Sequence, residues 1–483
     1  MNTFVEAVAK TQKKQAKQAN KTVTENCMAA KKSTTNAVLD LFYQGPVSRN
    51  KDIQSLFEAA FREDEHLATR CALWLRDVRG GAGERQSFRD ILYFLNVYDP
   101  NAIEALLPKI AELGRWDDMF VLFEGQKAEK AISFYAKALT EGNGLAAKWA
   151  PRKGPIANQL RKHLGLTPKD YRKLVVNATN VVESQMCAGE WESINFSHVP
   201  SVASARYRKA FWKHVPQKYE AYINALVKGD PTVKINAGAI FPHDVLKSLF
   251  ADIFSLSTIS KVEERAIVEQ WKALPNFVGE ASVLPLIDTS GSMFHSISPK
   301  NSISVAQVAY GLGLYIAEKN RSVFKDVFLT FNSVPQVYHL KGNIVQKIRD
   351  AARAPWGGST NLELAIQKML DFAVSNKVTK KDMPKALIIF SDMQFNQATR
   401  EPSDDALKMM KGQYAEAGYD FPRIIFWNLR ATDNVPVKAT KSGVALVSGF
   451  SPSIAKAILD GNLDDFTPEA IMLKTIMSDR YSY

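Results

Sequence analysis

The sequence predicts two architectures in one chain of 483 residues: an α-helical repeat region followed by an α/β domain with a mainly parallel sheet. Three observations predict this. From about residue 36 to residue 274, apolar residues recur at three- and four-residue spacing and strand-like alternation is scarce. After Pro275, short apolar runs alternate with amphipathic stretches, the pattern of strands joined by crossover helices and covered on both faces. Finally, the run Ala281-Ser-Val-Leu-Pro-Leu-Ile287 ends in Asp288-Thr-Ser-Gly-Ser292. It delivers a carboxylate and two hydroxyls to the carboxyl end of a buried strand, where open α/β sheets keep their ligands.

Residues 1–34 hold seven lysines against two glutamates and little apolar surface, so they read as a basic arm that stays disordered or orders on binding. Over 35–275, helices are expected at 37–43, 53–64, 66–76, 84–95, 102–113, 119–123, 129–139, 168–182, 201–214, 216–226, 242–251 and 259–274. Short polar or glycine turns separate them, as in a HEAT-like solenoid, although no fixed-period repeat is found. Over 276–460, strands are expected at 282–287, 327–330, 336–340, 386–390, 423–427 and 444–446. The helices expected between and after them lie at 304–319, 361–373, 404–417 and 453–459. Residues 461–483 read as a helical or extended tail.

The composition, 46% hydrophobic and 23% charged, is that of a folded protein large enough for two or three cores. The longest apolar candidate, 238–260, is interrupted by Pro242, His243, Asp244, Lys247 and Asp252, so no membrane span is expected. The start lacks a basic region followed by an apolar stretch, so no secretory signal is expected. Three scattered cysteines, Cys27, Cys71 and Cys187, give neither a disulfide framework nor a zinc knuckle. A reducing, cytoplasmic setting is the simplest expectation.

The net charge of +12 is unevenly placed. Residues 145–220 hold thirteen Lys and Arg against five Asp and Glu, and with the N-terminal arm they account for the whole excess. Lys148, Arg152, Lys153, Arg161, Lys162, Lys169, Arg172 and Lys173 crowd around Trp149 and Tyr171, which combines phosphate-neutralising charge with rings able to stack on bases. RNA is therefore one expected partner. A solvated lysine-rich helix surface is an equally weighted alternative, and the two rings are more often core anchors than base platforms.

Magnesium takes six oxygens in a tight octahedron, so a protein site needs hydroxyls and carboxylates converging from different loops. Ser290 and Ser292 in one loop, Thr360 after Gly357-Gly-Ser in a second, and Asp392 at the end of Ala386-Leu-Ile-Ile-Phe-Ser-Asp392 meet that need, with Asp288 adding charge. Alone, Asp-x-Ser-x-Ser reads more often as a helix cap. The second and third loops, in the right order, shift the balance to a Mg²⁺ or other divalent-cation site.

These residues resemble the metal-ion-dependent adhesion site of von Willebrand factor A domains, over about residues 280–460. The resemblance implies that the serines and Thr360 touch Mg²⁺, that the aspartates act directly or through water, and that an acidic group of a partner protein completes the sphere. Arg79-Gly-Gly-Ala-Gly-Glu-Arg85, Leu113-Gly-Arg-Trp-Asp-Asp118, Ala147-Lys-Trp-Ala-Pro151, Tyr171-Arg-Lys173, Trp191-Glu-Ser-Ile194, Val199-Pro-Ser201 and Phe426-Trp-Asn-Leu-Arg-Ala431 resemble an uncharacterised group with the same layout. That group is in turn similar in layout to Ro (TROVE-domain) ribonucleoproteins, down to Ser448-Gly-Phe-Ser-Pro452. The resemblance implies a helical ring that binds RNA.

Two enzymatic readings are set aside. The 79–87 loop lacks the lysine of a phosphate-binding loop and follows an expected helix rather than a strand, so an interhelical turn with Arg79, Glu84 and Arg85 in local ion pairs is the better reading. Gly114-Arg-Trp-Asp-Asp118 likewise reads as a turn, with Asp117 or Asp118 as a cap and Arg115 free to meet a phosphate. A phosphatase with a strand-end aspartate nucleophile would place a second acid where Ser290 stands, and the histidines form no metal pair or triad. The expectation is a non-enzymatic RNA-binding protein with no small-molecule substrate. The alternative is a scaffold whose metal captures a partner's carboxylate.

Overall fold

In the helical region, side-chain caps set where helices begin. Asn36, Asp52, Asp64 and Asp99 accept the N–H of Leu39, Ser55, Leu67 and Ala102, opening the helices Ala37–Gln44, Ile53–Glu63, Glu65–Arg76 and Pro100–Leu113. The computed structural model describes residues 18–25, 29–48, 52–250, 257–298, 301–332, 335–354, 357, 362–394, 403–432, 434–459 and 466–483. Further helices follow at Gln86–Tyr98, Ala128–Thr140, Gly144–Trp149, Pro155–His163, Pro168–Ala178, Val182–Ala188, Ser201–His214, Pro216–Val227, Pro242–Leu246 and Lys261–Lys272. Three of these, Gly144–Trp149, Pro155–His163 and Val182–Ala188, were not expected. Gly144 and Pro155 are each the first residue of their helix, a position where proline is well tolerated.

The turn at 77–85 joins two helices, as expected, but Asp77 organises it. Its carboxylate takes two hydrogen bonds from Arg480 and one from the Tyr481 hydroxyl, at 3.1 Å from the latter. Gly81 is obligatory there, because a Cβ would lie 1.9 Å from the Trp74 carbonyl oxygen.

The N-terminal segment forms a small antiparallel pair, β1 (Lys21–Val23) and β2 (Ala29–Lys31). Lys31 exchanges backbone hydrogen bonds with Val435, at 3.0 and 2.7 Å, and Thr34 accepts one from Ala439 N. This part of the expected arm is therefore ordered on the chain's own α/β domain, and Thr34 is buried. Residues 1–17 lie outside the described part.

The α/β domain opens with β3 (Val283–Asp288), followed by a short hairpin, β4 (Ser296–Ser298) and β5 (Asn301–Ser304). The other strands are β6 (Val327–Phe331), β7 (Gln336–His339), β8 (Ala386–Ser391), β9 (Arg423–Asn428) and β10 (Val444–Ser448). They form a six-stranded sheet in the order β10-β9-β8-β3-β6-β7, parallel except for β7. All residues of β3, β8 and β10 are buried, which explains why they read as unbroken apolar runs rather than alternating ones. Pairing of β3 with β6 starts at Leu286, just past Pro285, which has no N–H to give.

Period-two alternation sends the two faces of the sheet into different cores. Val283, Ile287, Ile388, Phe390, Ile425 and Trp427 pack into the same cluster as Phe42, Trp74 and Trp271 of the helical region. Leu284, Leu286, Leu387, Ile389, Ile424 and Phe426 pack with Ile366 and Met410, from the helices Leu362–Ser375 and Ser403–Glu416. The helix Val305–Lys319 mediates the first contact. At Gly311 a Cβ would meet the His243 backbone nitrogen at 2.9 Å, so helix and backbone touch there without a side chain between them.

The last segment, expected as a tail, is the helix Pro468–Ile476 and a closing turn. Arg70, buried, donates to the carbonyls of Ile476 and Ser478 at 2.8 Å, and Lys109 reaches the Arg480 carbonyl. The end of the chain is thus tied to the first helices. Among the described residues, no helix is long and apolar enough to cross a membrane.

Candidate metal and nucleic-acid sites

In chain order the strands of the sheet run outward from β3 in one direction through β6 and β7, and in the other through β8, β9 and β10. The carboxyl ends of β3 and β8 therefore flank the topological switch point, where connections leave in opposite directions and open a crevice. Asp288 is the last residue of β3, and Asp392 immediately follows β8. The parallel register places Ile287 beside Phe390, so Asp288 comes level with Ser391 and Asp392 leaves the neighbouring strand one residue further on.

Local hydrogen bonds fix the acids. Asp288 Oδ1 accepts the Ser290 N–H at 2.9 Å, and Oδ2 accepts the Ser391 hydroxyl at 2.6 Å. Asp392 Oδ1 accepts the Gln394 N–H at 3.2 Å. Ser290 does sit at the N-cap of a short 3-10 turn, Gly291–Phe294, but its side chain makes no capping hydrogen bond. Its Oγ lies 3.1 Å from the Ser292 Oγ instead. The capping alternative left open by the sequence therefore fails, and two hydroxyls and two carboxylates converge.

Thr360 lies outside the described residues, as does Gly358. The loop that carries it is anchored at Gly357, whose N–H donates to the Thr289 carbonyl at 2.8 Å and whose φ of +104° suits glycine.

Electrostatics test whether these residues fit a divalent cation. Asp288 and Asp392 are both fully buried. Burial pushes the Asp288 carboxyl well above the usual carboxylate range, and the neighbouring Asp392 charge pushes it further, against the bonds from Ser391 and Ser290. Burial also raises Asp392, opposed by the Gln394 N–H, the Ser292 hydroxyl and Arg430. Two buried like charges with acceptor-rich surroundings are costly unless a cation joins them. A hard cation that prefers oxygen matches the donor set.

Two charged residues at this site escaped the sequence reading. Arg430, just beyond β9, places Nη1 3.4 Å from Asp392 Oδ2 and 3.3 Å from Glu25 Oε2. The Glu25 N–H donates to Gln394 Oε1 at 2.7 Å, so the N-terminal segment sits at the rim of the metal site. The signal for Arg430 was its place two residues beyond an apolar run ending at a strand tip. Glu25 carried none, because its partner is 405 residues away.

The eight expected RNA contacts divide into two groups. Lys148 is ion-paired to Glu183 at 3.3 Å, and Arg161 donates to the Leu166 carbonyl. Arg152, Lys153, Lys162, Lys169, Arg172 and Lys173 are exposed, with no carboxylate within 4.0 Å among the described residues. Lys169, Arg172 and Lys173 share one face of the helix Pro168–Ala178, three and four residues apart. Tyr171 is a core anchor: it is buried, and its hydroxyl donates to the Pro151 carbonyl at 3.1 Å, pinning the loop that carries Arg152 and Lys153. Trp149 is half-buried, with the Arg115 guanidinium 3.4 Å from its ring centroid. Arg115 also pairs with Asp117, and Asp118 takes Arg76 and Arg89 at 2.7 and 2.8 Å.

Two family models match the chain, each described as a domain of unknown function. One, DUF2828, matches residues 24–115 and 155–284; the other, DUF7788, matches residues 282–479. The chain is 28% identical over 522 residues to Uncharacterized protein L728 of Acanthamoeba polyphaga mimivirus, covering 95% of this chain and 87% of that protein. Among solved structures, it is similar in layout to the RO (RSR) protein of Deinococcus radiodurans. That match covers 92% of this chain and 100% of the other, with a TM-score of 0.48 and 13% identity.

Proposed function

We propose that this is a non-catalytic RNA-binding protein whose helical region holds RNA and whose α/β domain holds a divalent cation such as Mg²⁺. The observation that carries the RNA reading is the cluster of exposed cations at Arg152, Lys153, Lys162, Lys169, Arg172 and Lys173, which have no carboxylate partner among the described residues. Surface cations are usually interspersed with acids, and a cluster left without them favours a polyanion. The cation would be held by Asp288, Ser290, Ser292 and Asp392, with Thr360 from the adjoining loop, and would present an open position to an acidic group. Titrating labelled single-stranded RNA at several salt concentrations tests the RNA reading. Affinity should fall steeply with salt, and Arg152→Glu with Lys153→Glu should weaken it; no binding at low salt removes the reading.

A second reading, a scaffold whose metal captures a partner's carboxylate, is favoured by Glu25. The chain's own Glu25 carboxylate is held beside the site through Arg430, a contact consistent with an acidic group lying there. Pull-downs with and without EDTA, analysed for RNA and protein, separate the two: metal-dependent protein capture without RNA supports the scaffold.

A further inference from the structure

A cleft of about 790 Å³ lies against the helical region, next to the basic loop. One wall is a face of the helix Gln86–Tyr98, with Arg89, Tyr93 and Val97 spaced four residues apart. Phe120, Val121 and Trp149 also line the cleft. Tyr93 and Val97 are 58% and 51% exposed, so the cleft displays an aromatic ring and apolar surface to solvent.

Its surroundings are cationic. Arg89 and Arg115 pair with Asp117, but Arg85 has no carboxylate within 4.0 Å among the described residues. Burial, and after it the neighbouring Arg115 and Arg89 charges, lower the Arg85 pKa against the opposing pull of Asp117 and Asp118. Among the described residues that line the cleft, Glu124 is the acid not committed to these arginines. Trp149 connects this group to the polyanion surface. The Lys148 ammonium lies 5.8 Å from its ring, and Arg152 and Lys153 follow three and four residues later.

We propose that this cleft takes an unpaired nucleotide of a single-stranded RNA, its base against Tyr93 and Phe120 and the flanking phosphates toward Arg85, Arg152 and Lys153. The proposal rests on the RNA-binding reading and adds a base-stacking site to it. Apolar walls alone would admit many ligands; walls beside surplus guanidiniums favour one that is both flat and anionic.

The test compares the full chain's affinity for a short uridine-containing RNA, for a strand of equal phosphate number with abasic positions, and for uridine monophosphate alone. The wild-type chain should prefer the base-bearing strand by roughly ten-fold, the effect of one stacked base. Tyr93→Ala, at an exposed position that should not disturb folding, should abolish that preference and leave the salt dependence unchanged. Arg152→Glu with Lys153→Glu should weaken both strands alike. An unchanged preference in Tyr93→Ala overturns the cleft but not RNA binding. No binding of either strand overturns the RNA reading itself. Binding of the free nucleotide as tight as that of the strand, and indifferent to the Arg152 and Lys153 reversals, assigns the cleft to a free nucleotide and overturns the proposal.

Discussion

The switch-point site and the basic surface are built on opposite terms. At the switch point, two buried acids are held by strand ends, an Asx-type turn and the Ser391 hydroxyl, so each position is set by the parallel ladder. On the helical surface, six exposed cations sit on a loop and two helices, and none is held by a carboxylate of the described residues. The first arrangement concentrates function in few atoms; the second spreads it over many. Single substitutions should therefore be decisive at one and graded at the other.

The largest expected effect follows. Asp288→Ala removes a carboxylate whose partners are all polar and buried, and should weaken Mg²⁺ binding by about 100-fold in calorimetry, the upper end for loss of a group in a metal's shells. Its RNA affinity should not change. Weakening of both would mean that the two regions are one site.

Next is the charge reversal at Arg152 and Lys153. Each phosphate contact on a single strand contributes about 0.7 to the slope of log affinity against log salt, so losing two should lower its magnitude by about 1.4. A slope that stays constant would place the RNA elsewhere.

The clasp between the chain's end and the first helices is a structural control on both. Burial alone would raise the Asp77 carboxyl, but the Arg480 hydrogen bonds and charge and the Arg79 and Gly80 N–H groups hold it below the usual range. A lowered folded-state value means stability that is present above the ordinary carboxylate pKa and lost as pH falls through the folded one. Arg480→Ala leaves the buried Asp77 without its cationic partner; because the arginine is itself partly exposed, the loss should be about 1–3 kcal/mol in urea unfolding near neutral pH. That loss should shrink in strong acid. An equal loss at both would contradict the ion-pair origin.

The smallest effect is at Arg430. Its guanidinium stands 3.4 Å from an acid that would face the metal, so Arg430→Ala should tighten Mg²⁺ binding by a few-fold, or about 1 kcal/mol at most. Weaker binding would instead make Arg430 a positioning residue.

What the sequence made legible divides along the same line as the two sites. The order and bounds of the strands were readable because parallel strands buried on both faces carry continuous apolar runs. Asp288 and Asp392 were readable because each follows such a run. The helix Ile344–Ala351 and the hairpin of β4 and β5 were missed, being short and set between stronger signals. Glu25 and Arg430 were missed because their meeting depends on tertiary contact across the whole chain. In the basic stretch, residue type gave the charges but not which were already engaged. Lys148 and Arg161 look like their neighbours in sequence, and only the folded contacts with Glu183 and Leu166 distinguish them.

The two regions also share a core, since Trp74 and Phe42 pack into the cluster that contains one face of the sheet. Independence of binding is therefore not a consequence of loose tethering, and it can be measured. RNA affinity determined in excess EDTA and again in excess Mg²⁺, for the wild-type chain, Asp288→Ala and the Arg152→Glu, Lys153→Glu pair, decides whether two sites exist. RNA binding should survive EDTA and Asp288→Ala and weaken only in the double reversal. Loss of RNA binding in EDTA or in Asp288→Ala, with the reversal without effect, would contradict the assignment of RNA to the helical region.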